Sequence, residues 1–183
     1  MSAENEMATT DSAAPVDANQ KRERSGIAFP YDNLADAERL ALAIHEHVGP
    51  GGCDEDQLAA WLGQSPKSSS FRVQLSAARM FGLLQSGVSD RRLSDLGRNL
   101  VDPAQARAAR AQAFLNVPLY AAMFERYRGN VLPPPAALER DMVSLGVAQK
   151  QKERARQVFE RSADHAGFFE HGRDRLVRPG VRT

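Results

Sequence analysis

Residues 77–87 read AARMFGLLQSG and residues 162–172 read SADHAGFFEHG, and the two stretches align without a gap. Ala78, Gly82 and Gly87 fall on Ala163, Gly167 and Gly172, while Leu83-Leu84 falls on Phe168-Phe169. Glycine at the first shared position has a physical task. It caps a helix in the left-handed region, so that the chain can reverse at once into an extended apolar pair. The echo therefore predicts that two halves of the chain repeat one plan, a helix that ends on glycine and runs into a hairpin.

Working outward from the first copy, Ala37, Leu40, Ala41, Ile44 and Val48 recur at three and four residues. This spacing lines one face of a helix that begins near Leu34, and Gly49-Pro50-Gly51-Gly52 ends it. Asp54 is placed to cap a short helix with Leu58, Trp61 and Leu62 on its buried side. Ser65-Pro66 opens the next, serine as N-cap and proline at the first helical position, where a missing N–H is harmless. Phe71, Leu75, Ala78 and Gly82 mark its buried face. Leu83-Leu84 and Leu93 then flank the polar run Gln85–Arg92, which reads as two short strands around a Gly/Asp turn.

The second half follows the same order. Pro103–Leu115 reads as an alanine-rich helix and Pro118–Tyr127 as another, before a break at Gly129-Asn130 and Pro133-Pro134-Pro135. Ala137–Leu145 is a short helix ended by Gly146. A long one runs from about Lys150 to His165, burying Ala155, Val158, Phe159, Ser162 and Ala166. Phe168-Phe169, a turn at His171-Gly172 and Leu176-Val177 form the second expected hairpin. The fold class expected is thus mainly α with short β-hairpins, a tandem winged helix-turn-helix. Residues 1–26 hold no aromatic side chain and no Ile or Leu, and are expected to be a disordered tail. Residues 27–102 are the first winged-helix unit, and residues 103–183 hold linking helices and the second.

Three segments carry a resemblance: LAAWLGQSPKSSSFRVQLSAARMFGLL (Leu58–Leu84), LSDLGRNLVDP (Leu93–Pro103) and AFLNVPLYAAMFERYRG (Ala113–Gly129). They resemble an uncharacterised prokaryotic family, a domain of unknown function with winged-helix-like architecture, over about Phe29 to Phe169. The resemblance implies the fold. It supplies no catalytic residue and no ligand.

Composition excludes several classes. The 183 residues carry a formal net charge of +1, which argues against a general polyanion-binding tail. One cysteine, Cys53, rules out an internal disulfide and suits a cytoplasmic location. Glu4 and Glu6 stand where a signal peptide would be positive, and no apolar run approaches the roughly 18 residues of a membrane span. His45 and His47 lie two apart on a helix and point in different directions, so with Cys53 alone nearby no zinc site is expected. His165 and His171 are equally unsupported as ligands. No phosphate loop, nucleophile elbow or zinc-protease motif occurs, and neither an enzyme nor a cofactor is expected.

The residues left with chemistry to do are basic and hydroxylic. On the third helix the face away from the core carries Ser69, Arg72, Val73, Ser76, Arg79 and Met80, with Lys67 and Ser68 in the first turn. Arginine can fork onto guanine or clamp phosphate, and hydroxyls suit phosphate oxygens. Arg91 and Arg92 at the first hairpin, with Arg173, Arg175 and Arg178 at the second, would straddle the backbone as basic wing tips. Asp90 and Asp174 dilute both clusters. The candidate nucleic-acid-binding set is Lys67, Ser68, Ser69, Arg72, Ser76, Arg79, Arg91, Arg92, Arg173 and Arg175. The function expected is a winged-helix protein that binds double-stranded DNA and regulates transcription. The alternative is a protein-interaction adaptor built on the same units, in which a surface such as Ala104, Ala108, Ala111, Phe114 and Leu115 pairs with a homodimer mate or another chain.

Overall fold

A computed structural model describes residues 24–180, and the expected tail lies outside them up to residue 23. Among the described residues eight α-helices follow in chain order: α1 (Leu34–Val48), α2 (Glu55–Trp61), α3 (Ser69–Met80), α4 (Asp95–Leu100), α5 (Ala106–Leu115), α6 (Pro118–Arg126), α7 (Pro135–Leu145) and α8 (Lys152–His165). A 3-10 turn at Gln149–Gln151 leads into α8. Most starts have a visible local cause. Asn33 caps α1, Asp54 and Gln57 form a reciprocal capping box on α2, and Ser94 caps α4. Proline opens both α6 and α7. Three boundaries differ from expectation: α3 is capped by Ser68 rather than Ser65, α5 starts at Ala106, and α7 starts at Pro135.

The expected hairpins do not form, so the tandem winged helix-turn-helix is corrected to an all-α fold. Among the described residues there is no strand, only isolated bridges between Leu84 and Leu93 and between Cys53 and Arg91. A ladder needs successive bridged pairs, and neither return segment makes them. In the first, Gln85 N–H meets the Arg92 carbonyl at 2.9 Å, but Gly87 turns at φ +76° and Ser94 already caps α4. Residues 85–90 also lack the alternating β-branched or aromatic side chains that pack a pleated surface. In the second, one bond from Val177 N–H to the Phe168 carbonyl, 3.0 Å, closes a turn through the charged run Glu170–Arg175. The winged-helix architecture implied by the family resemblance is absent with them.

The glycine caps do match. Gly82 and Gly167 sit at φ +84° and +85°, and each ends its helix with the same two bonds. Gly82 N–H reaches Arg79 O and Leu83 N–H reaches Ala78 O; Gly167 N–H reaches Asp164 O and Phe168 N–H reaches Ala163 O. Both caps drop the next apolar side chain, Leu83 or Phe168, into the core, where each is fully buried.

That core is one continuous cluster drawn from Phe29 to Leu176. At its centre Phe114 of α5 packs on Tyr120 (ring centroids 4.9 Å), Phe159 (5.8 Å) and Phe168 (4.5 Å). Tyr120 in turn meets Phe81, just past α3, at 6.3 Å. α1 lies across this cluster and packs on α3 and α8. Its first N–H, on Leu34, is satisfied by the buried Ser162 hydroxyl of α8 at 3.1 Å. A charged junction sits beside it. Glu38 of α1 receives Arg110 of α5 through two bonds, 2.8 and 3.0 Å, and His165 of α8 at 3.0 Å.

Two outcomes follow from these contacts. Gly97 in α4 has helical backbone, where alanine is ordinarily better by roughly 0.5–1 kcal/mol. A Cβ there would overlap the Leu83 carbonyl oxygen. Gly97→Ala is therefore expected to destabilise by on the order of 2 kcal/mol, the range of overpacking; a raised melting temperature would contradict this. Burial works against the Glu38 charge, but hydrogen bonds from His165 and Arg110 outweigh it and lower its pKa from 4.5 to about 2. A carboxylate with a depressed folded pKa stabilises above its unfolded value, and that contribution is lost as pH falls from about 4.5 toward 2. Melting curves of wild type and Glu38→Gln should thus differ most near neutrality and converge toward pH 2; an equal gap at both ends would refute the assignment.

Candidate binding surface

α3 is held with its inner face on α1 by Phe71, Leu75, Ala77 and Ala78, all buried. The polar anchor is Gln74, only 6% exposed, whose side-chain amide donates to the Asp36 carbonyl of α1 at 2.8 Å and accepts from Gln64 at 2.7 Å. This fixes the rotation of the helix. Ser69, Arg72, Ser76 and Arg79 consequently face solvent, with Val73 and Met80 half-buried among them. No acidic residue lies within α3.

Beside this face runs the segment from Arg24 to Asp32, which is tied down along its length. Gly26 N–H donates to the Gly146 carbonyl at 2.7 Å, Ser25 Oγ accepts from Ala148 N–H at 2.9 Å, and the Ala28 carbonyl accepts from Leu119 N–H at 3.2 Å. Phe29 is buried and tilts against Tyr31 at 5.4 Å. Tyr31 is 40% exposed, its hydroxyl bonded by Gln151 and its ring covered by the Arg154 guanidinium at 5.1 Å. Between the segment and α3 lies a groove of about 310 Å³ lined by Phe29, Pro30, Tyr31, Val73, Ser76 and Met80, with Arg72 on its rim. A cavity of about 280 Å³ that reaches Arg24 adjoins it around Met80, and one of about 350 Å³ that reaches Ser69 and Arg154 adjoins it around Tyr31.

The basic residues named from sequence fall into different situations. Lys67 and Arg72 are exposed, and neither takes part in an ion pair among the described residues. The Ser68 hydroxyl is engaged within the chain: it accepts the Phe71 N–H at 3.2 Å and donates to the Ser65 carbonyl at 2.8 Å. Arg91 places Nε 3.1 Å and a terminal nitrogen 2.5 Å from one oxygen of Glu55, and Arg79 lies 3.7 Å from the same oxygen. Arg92 forks onto Asp90 at 2.9 and 2.6 Å. Arg91 and Arg92 thus tie the return loop to α2 and to itself. Arg173, 3.6 Å from Asp164 and 5.9 Å from the Phe169 ring centroid, lines a separate cavity of about 480 Å³ with Leu132, Leu138 and Glu160. Arg175 is exposed in the same C-terminal segment.

Other chemistry is weak here. Burial, with Asp54 and Asp90 nearby, pushes the Cys53 thiol up to about 11, so it stays protonated near neutral pH. Among the described residues no group of three His, Cys, Asp or Glu side chains is placed to hold a metal, and no helix is long and apolar enough to cross a membrane. Sequence reasoning passed over the second wall of the groove. Its signal was the run Ala28-Phe29-Pro30-Tyr31, two aromatics around a proline immediately before the α1 cap. Comparison of the chain with family models, with curated proteins and with solved structures returned no match.

Proposed function

We propose that the protein is a non-enzymatic adaptor of the cytoplasm that binds a protein partner in the groove between α3 and the segment Arg24–Asp32. The observation that carries this reading is the groove itself. It has an apolar floor and a solvent-facing aromatic, Tyr31, one of two large hydrophobic side chains open to water among the described residues. An aromatic held rigidly at the edge of an apolar slot is the usual anchor of a protein interface. The arginines that a duplex-binding protein would need on its flanks support the same conclusion from the other side. Arg91 and Arg92 are already matched to Glu55 and Asp90, so meeting phosphate would first break those pairs.

Double-stranded DNA, with a role in transcription, is the second reading, and one observation favours it. Ser69, Arg72 and Ser76 are exposed along a helix free of acidic residues, and Lys67 is exposed in the turn before its cap. In this reading α3 alone enters the major groove, without wings.

Fluorescence anisotropy with a labelled mixed-sequence duplex, titrated from about 50 to 200 mM salt, separates the two. The adaptor reading expects no salt-dependent binding and no effect of Arg72→Ala. The DNA reading expects log K to fall linearly with log salt, and Arg72→Ala to reduce that slope by about one unit if Arg72 meets a phosphate.

A further inference from the structure

We infer that the partner seated in this groove is an acidic amphipathic helix. The inference rests on the adaptor reading and goes beyond it to the chemistry of the occupant.

Shape comes first. α3 is 12 residues long, about 18 Å at helical rise, and the groove with its two neighbouring cavities borders it from Ser69 to Met80. A peptide that binds by adding a β-strand would need an open strand edge, and the described residues contain no strand. A helix satisfies its own backbone and needs only an apolar trough for side chains at i, i+3 and i+4. Phe29, Tyr31, Val73 and Met80 supply that trough.

Charge decides the rest. Arg72 stands on the rim of the central groove, Arg24 at one end and Arg154 at the other. Two carboxylates also lie at the Arg154 end: Asp36 is paired within the chain, while Asp32 offsets part of the Arg154 charge. Asp36 pairs with Arg39 and caps against Asn33, and Asp32 accepts the Asn33 N–H at 2.8 Å. Arg24 and Arg72 have no ion pair among the described residues. The groove thus presents a hydrophobic floor with unpaired positive charge at Arg24 and Arg72 on its rim. Its complement is a helix with two or three apolar anchors and carboxylates beside them, which would also steer encounter.

The test is selection of a display library of random peptides about 14 residues long, roughly four helical turns, on the full chain. Enriched peptides are then measured by anisotropy against wild type, Tyr31→Ser and Arg72→Glu, with circular dichroism as the folding control. Enriched sequences are expected to carry apolar residues at i, i+3 or i+4 with Asp or Glu adjacent, and to bind about tenfold more weakly to either variant. Basic or neutral peptides that still depend on Tyr31 would overturn the acidic chemistry and leave the groove as an adaptor site. Peptides indifferent to Tyr31→Ser, or no enrichment at all, would overturn the adaptor reading as well. Salt-sensitive binding of duplex DNA that is lost in Arg72→Glu would replace both with the nucleic-acid reading.

Discussion

The burial of Phe114 is the contact on which the rest of the structure depends. Its ring touches Tyr120, Phe159 and Phe168, so one side chain joins α5, α6, α8 and the turn after α8, and Tyr120 carries the contact on to Phe81 at the end of α3. Burying a phenylalanine contributes about 1.5–3 kcal/mol from its surface alone, and well-set aromatic pairs add to it. This makes the two glycine-capped ends neighbours in a single core, with Leu83 and Phe168 both fully buried in the same cluster.

The groove is a consequence of that shared core. One wall is α3, seated on α1 through Gln74. The other is the segment Arg24–Asp32, whose hydrogen bonds run to Gly146, Ala148 and Leu119 in the second half of the chain. Both walls come from the first half, and the second half anchors the wall that carries Phe29 and Tyr31. A groove built this way is held in shape by the fold itself, which would lower the ordering cost of the proposed binding.

The helices were legible in the sequence because the apolar spacing and the caps agree locally. Leu34, Leu40 and Ile44, or Phe71, Leu75 and Ala78, declare their buried face by phase alone. The same phase put Ser69, Arg72, Ser76 and Arg79 outside. The absence of hairpins was not legible, since a turn flanked by apolar residues looks alike whether it closes a ladder or an irregular return. α4 was missed for a related reason: its six residues are too few for a period, and its signal was the Ser94 cap. Among the candidate nucleic-acid-binding residues, the placement of Arg91 is set by Glu55, a partner 36 positions away that no local pattern reveals. The Phe29-Pro30-Tyr31 wall was visible as residues, but its position against α3 depends on the core and could not be read from spacing.

Native-state hydrogen exchange under rising denaturant tests the shared core most directly. The account predicts that the best-protected amides of α3, such as Leu75, and of α8, such as Phe159, merge into one global opening, and that Leu119 N–H, which holds the second wall through the Ala28 carbonyl, does not outlast it. Two separate isotherms, with α3 still protected after α8 has exchanged, would show that the halves open independently and that the groove is not held by a common core.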